Sequence, residues 1–215
     1  MGMFKRKLYE ALCEWKRISN GTTALLIEGA RRTGKSTIAE AFAQNEYKDY
    51  VLLDFSLVSN EIKENFENIG DIDTFFQNLF LLTHKRTMPK RESLVIFDEV
   101  QLCPKARQAI KALVSDGRYD YIETGSLISI NKNVKDILIP SEEKKIHMNP
   151  MDYEEFRWAL GDDVSVSMLK NLYDERKPLG QAVNRQMMRD FRLYMLVGGM
   201  PQAVNSFIEK NDFSE

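Results

Sequence analysis

Cysteine and histidine are scarce in this sequence, which has two of each: Cys13, Cys103, His84 and His147. The two cysteines lie far apart, and neither has the C-x-x-C spacing or the neighbouring histidine that a zinc site requires. Two thiols also fall short of the disulfide framework that staples small secreted domains. The sequence therefore argues against a zinc site and against a disulfide framework. We expect two ordinary thiols and two structural or exposed histidines.

Long hydrophobic runs and an excess of one charge are also lacking. No stretch approaches the roughly eighteen apolar residues of a membrane-spanning helix, and the first residues carry no apolar segment of signal-peptide length. We therefore expect a cytoplasmic protein. The 30 basic and 32 acidic residues give a net charge of −2. This balance does not favour nucleic acid as a partner, although a local basic patch could still bind it.

A glycine-rich segment after the first apolar run carries the clearest chemistry. Residues 29–36 match the pattern G-x-x-x-x-G-K-[ST], in which successive backbone N–H groups cradle phosphate and the following helix adds its positive end. The pattern predicts that Lys35 reaches the β- and γ-phosphates and that the Ser36 hydroxyl binds Mg²⁺. The predicted nucleotide-binding residues are Gly29, Ala30, Arg31, Arg32, Thr33, Gly34, Lys35, Ser36 and Thr37.

Two acids follow another apolar run, Leu94–Phe97. Such a run predicts a buried strand whose carboxyl end brings Asp98 beside the phosphate loop, where it can hold Mg²⁺ directly or through water. Glu99, the next residue, can polarise the water that attacks the γ-phosphate, which hydrolysis needs and transfer to another acceptor does not. The alternative is that the two acids cap the following helix.

The end of the next predicted strand is polar. In a P-loop sheet of the additional-strand type, this strand lies between the loop strand and the acid-bearing strand, and its last residues contact the γ-phosphate or the water. Thr124 and Ser126 are therefore candidate catalytic residues together with Glu99 and Lys35. The alternative is that they cap a short helix through Leu127 and Ile128.

Strand and helix patterns alternate up to Pro150 and are helical beyond it. This alternation predicts an α/β fold, a three-layer P-loop NTPase with a parallel sheet of about five strands and a small helical segment after it. Among its helices we expect one over residues 3–17 and one over residues 58–83, broken where Asp71 caps its second half. The expected organisation is an N-terminal helix in residues 1–20, an ATPase core in 21–150 and a helical segment in 151–215.

Some side chains outside these motifs stay open to more than one interpretation. Arg31 and Arg32 lie inside the loop, and their side chains are expected to point toward the base, solvent or a neighbouring subunit. The basic segment 84–91 is expected to be a solvated loop rather than a nucleic-acid patch. Four methionines fit core filling better than a binding surface, namely Met187, Met188, Met195 and Met200.

Five segments occur together in an order typical of one family: residues 29–37, 95–101, 124–126, 148–156 and 196–201. The chain resembles the prokaryotic AAA-like ATPases that carry a C-terminal domain of unknown function and are related to archaeal-type and STAND ATPases. The resemblance covers roughly residues 20–205 and implies an ATPase core that binds ATP and Mg²⁺. It also implies a further domain after the Gly-Gly-Met-Pro segment, so we expect this sequence to be part of a longer protein.

These observations favour a Mg²⁺-dependent ATPase that passes a conformational change to a protein partner or to its own C-terminal domain, with oligomerisation possible. A non-enzymatic ATP-gated switch is the main alternative. A small-molecule kinase fits less well, because no arginine-rich lid is visible. A GTPase is disfavoured because Val134 stands where the guanine motif N-K-x-D, begun by Asn131 and Lys132, requires aspartate.

Overall fold

Five parallel strands form the centre of the computed structural model, which describes residues 3–126 and 142–210. Their order across the sheet is β2-β3-β4-β1-β5. The predicted α/β P-loop fold with about five strands is therefore confirmed, including the strand inserted between β1 and β3. The strands are β1 (Ala24–Gly29), β2 (Asp49–Asp54), β3 (Ser93–Asp98), β4 (Asp120–Ser126) and β5 (Glu143–Met148).

Neighbouring residues of a strand point to opposite sides of the sheet, and helices pack against the apolar side chains on both faces. Leu26 packs in one apolar cluster with residues of the helices that follow β2 and β3. The helix after the glycine-rich loop packs against the sheet with Ile38 and Phe42 fully buried. The helices of this part are α1 (Leu8–Ser19), α2 (Lys35–Glu46), α3 (Asn60–Asn65), α4 (Ile72–Leu82) and α5 (Pro104–Asp116), with short 3₁₀ turns at Phe66–Asn68 and Val100–Leu102.

The break inside the segment 58–83 lies where the sequence predicts it. Asp71 caps α4 by accepting hydrogen bonds from the backbone N–H groups of Asp73 and Thr74. The apolar face of α4 is buried, and its phenylalanines pack edge-to-face within a larger aromatic cluster. Capping and burial together stabilise a helix start that follows immediately after a glycine.

The first helix begins later than expected, at Leu8 rather than at residue 3. The backbone N–H of Lys7 donates to the carboxylate of Glu155 over 2.7 Å, and the guanidinium of Arg6 lies 3.2 Å from the same carboxylate. Arg6 also donates to the carbonyl of Asn149. These contacts, with residues about 150 positions further along the chain, keep residues 3–7 out of the first helix. The apolar residues of this segment nevertheless have helical spacing.

The described residues divide into two compact units. Residues 8–126 and 142–148 form one, and residues 3–7 with 149–210 form the other. The second unit has a small core of Met151, Phe156 and Val204. Asp152 and Glu155 form a reciprocal capping box at the start of its first helix. Its helices are α6 (Tyr153–Ala159), α7 (Ser165–Asp174), α8 (Gln181–Val197) and α9 (Pro201–Lys210).

The methionines of α8 do not fill a core, contrary to expectation. Met188 and Met195 are 44% and 60% exposed, and none of the 17 residues of α8 is buried. Leu193, Tyr194 and Val197 of the same helix pack against the small core of this unit, whereas Met188 and Met195 stay exposed. None of the helices in residues 3–126 and 142–210 combines the length and apolarity needed to cross a bilayer.

A buried charged cluster lies under β4 and β5, away from the loop. Arg107 of α5 pairs with Glu143 of β5 at 2.9 Å, with both side chains almost fully buried. Glu123 of β4 is fully buried nearby. Burial raises the pKa of Glu123 well above its usual range, and the charge of Glu143 raises it further. A protonated Glu123 can donate to Glu143, whereas two carboxylates could only repel each other.

Candidate functional site

The glycine-rich loop joins β1 to α2 at the carboxyl edge of the sheet. It begins at Gly29, where a Cβ atom would lie 2.2 Å from the carbonyl oxygen of Met148, so only glycine allows β5 to approach this closely. It ends at Gly34, whose left-handed backbone (φ 94°) turns the chain into the helix. Thr33, fully buried, donates from Oγ1 to the carbonyl of Ala30 over 3.0 Å. A hydrogen bond between two residues of the loop thus stabilises its conformation before α2 starts.

Lys35 lies in the cradle formed by this loop. Its side chain is buried, and Nζ donates to the carbonyl oxygens of Ala30 at 2.7 Å and Gly29 at 3.3 Å. Burial lowers the pKa of Lys35, while the negative charges of Glu99 and Asp98 act in the opposite direction. Backbone carbonyl groups thus hold the ammonium group inside the loop, where the negative charges of Asp98 and Glu99 also act on it.

Three of the predicted site residues converge on one oxygen atom. The Ser36 hydroxyl donates to Oδ1 of Asp98 over 2.7 Å, and the Thr124 hydroxyl donates to the same oxygen. The strand order explains this meeting, because β4 lies between β1 and β3 and all three strands end at the same edge. Asp98 is only 5% exposed, so a buried carboxylate is satisfied by two hydroxyl groups.

Glu99 is the N-cap of the 3₁₀ turn that follows β3, and it has a left-handed backbone (φ 52°, ψ 46°). Its N–H donates to Oγ1 of Thr124 over 3.4 Å, and its carboxylate accepts a hydrogen bond from the side-chain amide of Gln101. Gln101 belongs to the segment 95–101 that carries the family resemblance, but its residue type alone indicates no role. Sequence reasoning therefore missed it as a site residue.

The remaining predicted site residues differ in exposure. Ser126 is buried at the end of β4 and is the register partner of Gly29 in β1. Arg31, Arg32 and Thr37 are exposed, and Arg32 has a left-handed backbone (φ 63°). Arg31 is close enough to Lys35 to contribute to lowering the pKa of that lysine. Leu127 and Ile128, where a short helix is the alternative expectation, and the segment Asn131–Val134 lie outside the described residues.

The donor set fits a magnesium–nucleotide complex. Mg²⁺ binds oxygen ligands and usually takes one or two from the protein, with phosphate oxygens and water completing the octahedron. Ser36 and Asp98 supply a hydroxyl and a carboxylate 2.7 Å apart, beside a loop whose lysine is bonded to backbone carbonyls. Within residues 3–126 and 142–210, no three His, Cys, Asp or Glu side chains form a metal-binding group. One hydroxyl and one carboxylate are of the kind and number that phosphate-bound Mg²⁺ takes from a protein.

Comparison with known proteins identifies the family. A family model described as an AAA domain matches residues 21–157, which is more than half of the chain. This chain belongs to the AAA-domain family. It therefore contains a P-loop ATPase core of the AAA type, and nucleotide binding is the general property of that core. A comparison with curated protein sequences gives no match.

Solved structures similar to this AAA domain agree on the fold. AMPPCP-bound DnaA from Aquifex aeolicus matches with a TM-score of 0.55 and 11% identity, over 100% of this chain and 62% of that protein. The S. cerevisiae Hsp104 complex with casein matches with a TM-score of 0.52 and 14% identity, over 95% of this chain and 36% of that one. This AAA domain thus spans less than two thirds of either protein, and identities this low show a shared fold alone.

Proposed function

We propose that this AAA domain binds ATP with Mg²⁺ and hydrolyses it. The observation that carries the proposal is the convergence of the Ser36 and Thr124 hydroxyls on Asp98, next to the buried Lys35. In this assignment, the loop residues 29–37 hold the triphosphate through backbone N–H groups, Lys35 leaves its carbonyl partners for the phosphates, and Ser36 and Asp98 hold the metal. When bound, Mg²⁺ supplies neutralisation of charge on the phosphate oxygens.

Hydrolysis requires a base that orients water, and Glu99 is the candidate. Its carboxylate would accept the proton of the attacking water as the water oxygen bonds to the γ-phosphorus and ADP leaves. Thr124 supports this role, because its hydroxyl contacts both the Asp98 carboxylate and the Glu99 backbone. Ser126, beside the first glycine of the loop, is the second polar group on β4 that could contact the γ-phosphate.

The output of the cycle is proposed to be a conformational change passed to a protein partner or to further domains of a longer chain. Two observations support this. First, the described residues form a second helical unit whose helix α8 buries no residue. Second, the Hsp104 structure of similar fold is a complex with a protein, casein. We propose a protein rather than nucleic acid as partner because the net charge is −2.

The test compares phosphate release from ATP by the wild type, Glu99→Gln and Lys35→Ala, with and without Mg²⁺. We expect slow release by the wild type, a loss of about 10²-fold or more in Glu99→Gln with ATP binding retained, and both weaker ATP binding and loss of release in Lys35→Ala. Equal background rates in the wild type and Glu99→Gln, with tight ATP binding in both, would favour the ATP-gated switch. Formation of ADP that requires an acceptor molecule and releases no inorganic phosphate would favour a kinase.

A further inference from the structure

Gln101 contacts the proposed base, Glu99, through its side chain. It lies in the 3₁₀ turn Val100–Leu102 and is only 3% exposed. Its Nε2 donates to Oε2 of Glu99. The orientation of the amide follows from chemistry, because an ionised carboxylate only accepts hydrogen bonds and must therefore face the NH₂ group.

The other end of the same amide is unpaired. Oε1 of Gln101 is buried and accepts no hydrogen bond from any residue that the structure describes. Burying an amide without satisfying its polar atoms costs about 1–3 kcal/mol, so a glutamine that served only the turn would be expected to bond to backbone groups. The hydrogen bond to Glu99 is therefore the polar contact that explains why an amide side chain is buried at this position.

The backbone holds the two residues in a fixed relation. The turn is closed by bonds from the N–H of Leu102 to the carbonyl of Glu99 at 2.9 Å and from the N–H of Cys103 to the carbonyl of Val100 at 3.0 Å. Glu99 itself stands in a left-handed conformation that non-glycine residues adopt at a cost. Strand end, turn and amide thus together determine where the carboxylate of Glu99 points.

We propose that Gln101 is a positioning residue for Glu99. Its amide holds Oε2, which leaves Oε1 to accept the proton of the attacking water, in the way that a third group orients the base of other catalytic sets. The inference rests on the proposed function, because it assigns to Gln101 the task of orienting the proposed base. Gln101 touches neither nucleotide nor metal in this assignment, so its effect is on the rate of the chemical step.

The first experiment separates kcat from KM. Gln101→Leu keeps a similar volume but removes the donor, and we expect kcat for ATP hydrolysis to fall about 10- to 100-fold, since small misplacements of a catalytic group have effects of this size. KM and the affinity for a fluorescent ATP analogue should stay within about twofold of the wild type. Gln108→Leu, an exposed glutamine on α5, is the matched control and should change neither.

The second experiment is a double-mutant cycle with Glu99→Gln, measured by single-turnover phosphate release. If Gln101 acts through Glu99, Gln101→Leu should have no further effect once the base is gone. The two residues should also be coupled in protein stability, without nucleotide. Gln101→Leu should lower the urea unfolding midpoint more when it is introduced into the wild type than when it is introduced into Glu99→Ala. If Gln101→Leu fails to fold, Gln101→Glu, which keeps the shape and replaces the donor by a carboxylate, takes its place.

The outcomes distinguish the two proposals. Wild-type activity in Glu99→Gln would overturn the proposed function itself. Loss of activity in Glu99→Gln with unchanged kcat in Gln101→Leu would overturn the positioning role alone. An equal loss from Gln101→Leu in both backgrounds, or a KM that rises in step with the loss of kcat, would make Gln101 a structural residue of the turn.

Discussion

Arg107 and Glu143 form an ion pair inside the protein, with Nη2 2.9 Å from Oε1 and side-chain exposures of 1% and 0%. The pair joins α5 to the edge strand β5, and the fully buried Glu123 lies in the same cluster. Buried charges are tolerated only when they are matched, because each ion has lost its hydration. Arg107 thus supplies the matching charge that lets Glu143 be buried at the start of β5.

Removing that arginine should destabilise the protein strongly. Arg107→Met removes the 2.9 Å ion pair and leaves the buried Glu143 carboxylate with the more distant Lys145, 4.0 Å away, and breaking a buried pair costs about 3–5 kcal/mol of unfolding free energy. The double variant Arg107→Met/Glu143→Gln should recover a large part of this loss because no charge then remains unpaired. Urea unfolding of the wild type and the two variants measures both effects. A single variant as stable as the wild type would contradict the ion-pair account.

Stability should also depend on pH through Glu123. Burial raises the pKa of this carboxyl in the folded state, so the folded protein retains a proton that the unfolded chain releases above about pH 4.5. Because the folded state then binds more protons, stability is fully present below the unfolded pKa and decreases as the pH rises toward the folded pKa. Glu123→Gln should flatten this decrease between pH 5 and pH 8, as followed by urea midpoints. A parallel slope in both proteins would exclude Glu123 as its source.

Lys35→Ala should weaken ATP binding about 10- to 100-fold, as expected for the loss of charge-assisted hydrogen bonds to phosphate. Anisotropy of a fluorescent ATP analogue measures the affinity. Lys111→Ala, an exposed lysine on α5, removes the same charge far from the loop in sequence and serves as the control. Unchanged affinity in Lys35→Ala would remove the loop from the binding site.

Gly29→Ala should lower the free energy of unfolding by roughly 1–3 kcal/mol, because the new Cβ meets the Met148 carbonyl at 2.2 Å and β5 must shift. Gly70→Ala is the matched control, since nothing lies within 4 Å of a Cβ placed there. Hydrogen exchange should show faster opening of β5 in the first variant only. Similar exchange in both would mean that the sheet edge adapts at little cost.

The sequence predicted the fold well where a local pattern and the topology agree. The alternation of strand and helix patterns predicted a parallel sheet of about five strands, and the place of the inserted strand β4 followed from the additional-strand arrangement. That arrangement also accounts for the meeting of Ser36, Asp98 and Thr124, whose proposed roles remain predictions.

What the sequence could not predict depends on contacts between distant residues or within one turn. Apolar spacing favoured a helix over residues 3–7, but Glu155, far along the chain, binds that segment outside the helix. Methionine spacing on α8 indicated an apolar face but not whether anything covers it. The contact between Gln101 and Glu99 depends on a left-handed residue, which no periodicity reveals.

The place of residues 3–7 in the second unit also affects how the protein can be divided. A fragment that starts at residue 149 would keep all four helices of that unit but lose Arg6, the guanidinium that lies 3.2 Å from the buried Glu155 carboxylate. Such a fragment should therefore fold poorly by itself and be rescued by fragment complementation, with a short peptide covering the N-terminal residues supplied in trans.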